Sequence, residues 1–278
     1  MACAGSGSDT VFGGGLAGQT IEGRAWDRAV EPVKKATVLE QNHGCGFEGT
    51  GSAVAITPNE LVTNKHVVEG ARTLSIVTTS GHRIAVRSWV VSTSDDLALL
   101  RLSDPLFDHP VDVAADPTMP GNLVVVMGYP LGGPLTVGRG RVLDVTPDPS
   151  GSGQTTIQAS VDTLPGNSGG PLLDTHGRLI GIVRAINLEN GSAEAIPSAR
   201  VSELIAGKST RPGQPVDLST WELDAHGYAA HTDATEGRRR LSPIGYEPVA
   251  SSELTQRPDC GTVSGAPDRY SLAVLIVP

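Results

Sequence analysis

The chain has 278 residues, with 34 glycines, 20 prolines and only 18% charged residues. That composition excludes a long-helix or coiled-coil protein and favours many short strands joined by turns. A net charge of −9 leaves no basic footprint for nucleic acid or an anionic membrane, and no apolar run reaches the ~18 residues of a membrane span.

Residues 1–25 are rich in Gly, Ser and Ala and read as a flexible tail. Trp26 to Ala36 predicts a short helix interrupted at Pro32, and Ala36 to Leu39 a first strand. Strands are expected over 49–57, 61–68, 74–78, 83–91 and 97–102, with Ile84, Val86 and Val90 on one alternating face. A Pro/Asp-rich linker, 104–121, separates these from strands over 123–127, 136–145, 155–161, 171–173 and 179–186. Ser198 is expected to cap a helix through Ala206, with Gly207 past its end. After Thr210 the sequence turns polar, and its one clear strand pattern lies at the C-terminus, Ser271 to Pro278.

The cysteines are Cys3, Cys45 and Cys260. An odd count suggests one pair and one cysteine with another fate. A Cys45–Cys260 disulfide is expected, tying the C-terminal segment to the first domain. Cys3 opens a small, polar run, Cys3-Ala4-Gly5-Ser6-Gly7-Ser8, that resembles the mature start of a bacterial lipoprotein. A lipid anchor there is one expectation and an ordinary terminus the other.

Ser168 stands in Pro165-Gly166-Asn167-Ser168-Gly169-Gly170-Pro171. A serine between glycines on a tight turn presents its hydroxyl outward beside backbone N–H groups, as a nucleophile with an oxyanion hole requires. Serine needs an imidazole as base, and the imidazole needs a carboxylate to orient it. His66 ends an apolar segment, and Asp96 opens another in Asp95-Asp96-Leu97-Ala98-Leu99-Leu100. The order His, Asp, Ser is that of the two-barrel solution to this chemistry. His43, His82, His109, His176, His226 and His231 show no paired ligand spacing, so no metal is expected.

Taken together, Thr63-Asn64-Lys65-His66-Val67-Val68, Asp96-Leu97-Ala98-Leu99-Leu100 and Gly166-Asn167-Ser168-Gly169-Gly170-Pro171 resemble trypsin-fold (chymotrypsin-like) serine proteases of the bacterial HtrA/Deg and MarP-type branch. Gly128-Tyr129-Pro130 and Ala195-Ile196-Pro197-Ser198 add to the match, which runs from about Val33 to Ile205. The resemblance implies an all-β fold of two six-stranded antiparallel barrels, a closing helix and an extra C-terminal extension. The protease domain would span 26–209, with barrel one at about 33–104, barrel two at about 121–197 and the helix at about 198–206. Residues 210–278 would be an extension packed on it.

By the same resemblance Ser168 is the nucleophile, His66 the base and Asp96 its orienter, with Asp95 as competitor. Gly166 and Ser168 N–H groups would form the oxyanion hole. Lys65 replaces a small residue of the family and, by strand alternation, is expected to be exposed. Asn167 stands where digestive proteases have an aspartate, so a zymogen ion pair is not expected. Asp162, six residues before Ser168, sits at the offset of a specificity-pocket carboxylate, which would favour Lys or Arg before the scissile bond.

The implied activity is an extracytoplasmic, bacterial serine endopeptidase acting on protein or peptide substrates without a cofactor. The 68 residues after Thr210 are too few and wrongly patterned for a PDZ domain, so none is expected. The rivals are a catalytically latent protease-fold binding module and an esterase.

Overall fold

The computed structural model describes residues 30–43, 48–147, 155–187 and 191–213, and the backbone of three later strands. A helical turn, α1, covers 30–34. The first sheet contains β1 (Thr37–His43), β2 (Glu48–Ala55), β3 (Glu60–Thr63), β4 (Thr73–Val77), β5 (Arg83–Ala85), β6 (Ser88–Ser92) and β7 (Ala98–Arg101). Between β3 and β4 lies a helical turn, α2 (Lys65–Val68). The second sheet contains β8 (Leu123–Gly128), β9 (Thr136–Pro147), β10 (Thr155–Ala159), β11 (Pro171–Leu173), β12 (Leu179–Ile186) and β13 (Ala193–Pro197). Helix α3 (Ser198–Ile205) and strand β14 (Thr210–Pro212) follow.

The second sheet closes on itself as a six-stranded barrel, in the order β10-β13-β12-β11-β8-β9. The first stays open as β14-β6-β7-β3-β2-β1-β4-β5. Its β6 edge is covered from outside the barrel. Strand β14 pairs antiparallel to β6, Thr210 opposite Ser92 and Pro212 opposite Val90. Proline is tolerated there because an edge strand need not donate outward.

β8 shows why the sequence reads as a continuous apolar run. Val124 and Val126 point into barrel two, while Val125 and Met127 join the cluster that fills barrel one and the space between barrels. Both faces of the strand are buried, so alternation vanishes. Val201 and Leu204 of α3 join the inter-barrel cluster, each adding about 1.5–3 kcal/mol of burial.

The 104–121 segment, largely exposed, is bonded to both barrels and buries Phe107, Val111 and Ala114. Its Val111 N–H donates to Ala55 O (2.8 Å) in barrel one, and Leu179 N–H of barrel two donates to Asp112 O (2.8 Å). Ser198 does not cap α3, whose N-cap is Pro197; its hydroxyl instead donates to Ala114 O at 2.8 Å. The expected strand over 61–68 ends at Thr63, since α2 follows. β13 was legible only as a motif. After Thr210 a three-stranded antiparallel sheet forms from β15 (Trp221–Leu223), β16 (Ala229–Asp233) and β17 (Gly237–Arg240), where no period predicted one. Cys3, Cys45, Cys260 and the predicted C-terminal strand lie outside the described residues.

Candidate active site

β3 delivers the chain to α2, and α2 holds His66 with only 5% of its side chain exposed. Asp96 sits in the loop just before β7, the neighbour of β3. Two hydrogen bonds join them. Asp96 Oδ1 accepts the His66 backbone N–H at 2.8 Å, and Asp96 Oδ2 lies 2.6 Å from His66 Nδ1. Asn64 Nδ2 donates to the Asp96 carbonyl at 2.9 Å, so the motif asparagine fixes the carboxylate's own backbone. Burial pushes the Asp96 carboxyl up. The charge and hydrogen bonds of His66, with the Arg184 charge behind them, outweigh burial and hold it below the usual carboxylate range.

The adjacent aspartate has another partner. Asp95 accepts from Arg200 of α3 through two bonds, Nε to Oδ1 at 2.8 Å and Nη2 to Oδ2 at 2.7 Å. Ser92 and Ser94 hydroxyls also donate to Asp95 Oδ2. Neighbouring carboxylates thus do different work: one faces the imidazole, while the other fastens the loop to α3.

Lys65 is not exposed as strand alternation predicted. It is buried, with 7% exposure, because residues 65–68 turn helically and period two no longer applies.

Ser168 lies in the turn between β10 and β11. Gly166 has φ +96 and Gly169 φ +83, backbone that L side chains rarely adopt. A Cβ on Gly169 would also fall 2.0 Å from the Ser52 carbonyl oxygen. Ser52 of β2 is the fastening point of this turn. Its N–H donates to Ser168 O (2.8 Å), its hydroxyl to Gly166 O (2.7 Å), and its own carbonyl accepts from Thr63 Oγ1 (2.8 Å). The serine turn of barrel two is therefore bonded to the strand beside the one that leads to His66.

Pro165 O accepts the Leu131 N–H at 2.7 Å. In a trans peptide the Gly166 N–H must point the opposite way. Among the described residues neither the Gly166 nor the Ser168 N–H has an acceptor. The Ser168 hydroxyl donates to Arg184 O at 3.3 Å, and no hydrogen bond to His66 is made.

Beside Ser168 opens an apolar cleft between Thr163, Leu164 and Pro165 on one side and Val183, Ala185 and Ile186 on the other. Asp162 is exposed and does not line it, contrary to the expected carboxylate floor. A six-residue offset sets position along the chain, but the direction of a loop side chain is decided by the turn that follows. Ser52, Arg184 and Arg200 were not singled out from sequence. Gly51-Ser52 was a signal of a kind, since a glycine-serine pair in a strand marks close backbone approach.

These features define a trypsin-like serine protease fold, and comparison with known proteins agrees. Residues 49–182 match the family described as trypsin-like peptidase domain. The serine protease Do-like HtrA of Bacillus subtilis is 32% identical over 234 residues, 75% of this chain and 51% of its own length. Serine protease Rv3671c of Mycobacterium tuberculosis is 32% identical over 184 residues, 61% of this chain and 44% of its own. The active-form crystal structure of the Rv3671c protease superposes with TM-score 0.60 at 26% identity, covering 68% of this chain and 86% of that one. The HtrA-type protease AlgW with a tripeptide also gives TM-score 0.60 at 26% identity, over 66% of this chain and 62% of that one. Residues 49–182 thus carry a trypsin-like peptidase domain, and the chain is similar to serine proteases of the HtrA kind. It spans about half or less of the length of the curated relatives it matches.

Proposed function

We propose that this chain is an extracytoplasmic serine endopeptidase that cleaves peptide bonds through an acyl-enzyme. Ser168 is the nucleophile, His66 the general base and then acid, and Asp96 the carboxylate that fixes the imidazole tautomer. The observation that carries this reading is the pair of hydrogen bonds from His66 to Asp96, 2.8 Å at the backbone and 2.6 Å at the ring. With Nδ1 held by the carboxylate, Nε2 is the nitrogen left to take the serine proton.

The serine oxygen attacks the scissile carbonyl as its proton passes to His66. Charge develops on the carbonyl oxygen, and the Gly166 and Ser168 N–H groups receive it. His66 then gives the proton to the leaving amine. A water, deprotonated by His66, completes hydrolysis of the acyl ester. The apolar cleft beside Ser168 suits a small or medium aliphatic side chain before the scissile bond. Peptides varied at that position test this. Cleavage after valine or alanine should exceed cleavage after arginine, and Asp162→Asn should leave the ranking unchanged. A preference for arginine that is lost in Asp162→Asn restores the carboxylate-floor reading.

A latent binding module is the second reading, favoured by the Ser168 hydroxyl resting on Arg184 O. Digestion of an unfolded protein by wild type but not by Ser168→Ala supports the enzyme. Binding without cleavage supports the module. The periplasmic-type relative of Haemophilus influenzae and the Cys3 segment support an extracytoplasmic site. A Cys45–Cys260 disulfide belongs with that compartment, and a non-reducing peptide map reads it directly.

A further inference from the structure

Four consecutive carbonyls of the serine turn are each held by a donor. Pro165 O accepts from Leu131 N–H (2.7 Å) and Gly166 O from the Ser52 hydroxyl (2.7 Å). Asn167 O accepts from Gly170 N–H (2.9 Å) and Ser168 O from Ser52 N–H (2.8 Å). A pinned carbonyl fixes the plane of its peptide, and so the direction of the N–H that follows it. The peptides carrying the Gly166 and Ser168 N–H groups are set at Pro165 O and Asn167 O, and Ser52 holds the carbonyl that comes after each. Three of the four donors are backbone N–H groups, which almost any sequence supplies. Only the Ser52 hydroxyl depends on side-chain identity.

The same hydroxyl oxygen accepts the Tyr129 N–H at 2.9 Å. Ser52 thus joins β2, the serine turn and the turn at 129–133. That second turn is tight, with Gly132 N–H donating to Tyr129 O (3.1 Å) and Gly133 N–H to Pro130 O (2.9 Å). Leu131 sits in it at φ +55, a left-handed conformation that leucine rarely adopts. Strain of this kind persists where the surroundings over-determine it. What it achieves here is the aim of the Leu131 N–H at Pro165 O. Ser52 is fully buried, and its hydroxyl has room because residue 128 is glycine: a Cβ there would lie 3.0 Å from Ser52 Oγ.

We infer that Ser52 is a positioning residue of the oxyanion hole: from barrel one, its hydroxyl fixes the turn whose peptides aim the Gly166 and Ser168 N–H groups. This rests on the serine protease reading above. Among the described residues the hydroxyl bonds to Gly166 O and Tyr129 N–H, and to neither Ser168 Oγ nor His66. It therefore acts through the direction of the two N–H groups. Without it, Gly166 O loses its pin, and the turn that presents Leu131 N–H to Pro165 O loses its anchor at Tyr129. A displaced hole binds the developing oxyanion less well and leaves the ground state nearly untouched, so the loss falls on kcat.

The test is steady-state hydrolysis of a peptide by the full chain and its variants, together with inhibition by a peptide aldehyde, whose adduct with Ser168 places an oxygen in the hole. Ser52→Ala should lower kcat about 30-fold with KM within about twofold of wild type, and weaken the aldehyde about 30-fold. Ser198→Ala is the control. It removes another buried serine hydroxyl, bonded to Ala114 O at 2.8 Å, and should leave kcat and aldehyde affinity at wild type. Should Ser52→Ala fail to fold, Ser52→Cys keeps the shape with a weaker donor, and must lower kcat and aldehyde affinity together by at least about threefold. Wild-type kcat in the folded Ser52 variant, a loss confined to KM, a fall in kcat with unchanged aldehyde affinity, or an equal fall in Ser198→Ala overturns the inference and leaves the protease reading standing. A wild type that cleaves no peptide overturns the protease reading, and the inference with it.

Discussion

The two barrels divide the proposed catalytic residues unequally. Barrel one is an open sheet, yet its share of the site is complete: Asp96 holds His66 at both backbone and ring, and Asn64 holds Asp96. Barrel two is closed with no free edge, yet its serine hydroxyl is bonded within its own barrel, to Arg184. The difference teaches that the His66–Asp96 pair is preformed by local geometry in one barrel, while any link from it to Ser168, the proposed nucleophile, crosses between barrels. Ser52, which bonds the serine turn at two points, is the main hydrogen-bonded tie across that seam.

The largest expected effect comes from breaking barrel one's share. Asp96→Asn should lower kcat by about 10⁴-fold with little change in KM, since the amide favours the wrong tautomer and the fold is kept. Steady-state hydrolysis of a peptide substrate measures it. A loss of less than tenfold would show that the imidazole does not depend on barrel one for orientation.

The next effect sharpens the contrast by separating two adjacent carboxylates. Arg200→Met leaves the buried Asp95 carboxylate with only serine hydroxyls. Removing one partner of a largely buried pair is costly, here on the order of 2 kcal/mol after allowing for the part-exposed guanidinium. The melting temperature should fall by about 6 °C. A smaller loss of kcat, about tenfold, is expected through displacement of the Asp96 loop. An unchanged melting temperature would remove Arg200 as the fastening of that loop.

The smallest effect concerns Glu40, buried in barrel one with neither carboxylate oxygen hydrogen-bonded among the described residues. Burial pushes its carboxyl well above the usual range. The folded state then binds the proton more tightly, so stability from this group is complete below about pH 4.3 and is lost as pH rises toward the folded value. Asp96 has the opposite sign: its contribution is present above about pH 3.9 and is lost as pH falls through its lowered folded value. Glu40→Gln should therefore raise the melting temperature by about 3 °C at pH 8 and leave it unchanged near pH 4. Calorimetry at the two pH values checks this, and an equal change at both would deny the group its titration.

Much of this site was legible because its motifs are local. The run through His66, the aspartate that opens β7 and the glycine turn around Ser168 each carry their chemistry within six or seven residues. The resemblance also points to Asp96 rather than Asp95, because the family's aspartate directly precedes the strand. What was not legible depends on long-range closure. Ser52 meets Gly166, 114 residues away, and Arg200 meets Asp95, 105 residues away. Neither pairing has a spacing rule. Lys65 was misjudged because a helical turn replaced the expected strand period, and Asp162 because loop direction is not set by offset. Of the fold, the strand count of barrel two was nearly readable, while β14 is a strand only because β6 offers it an edge.

The central claim is that Ser168 is a nucleophile activated by His66 across the seam. Mass spectrometry of the chain after fluorophosphonate treatment tests it most directly. A single covalent adduct on the peptide containing Ser168, absent in Ser168→Ala and at least about 10³-fold slower in His66→Ala, is the predicted result. An unlabelled wild type, an adduct on another residue, or labelling of Ser168 that does not slow without His66 would contradict it.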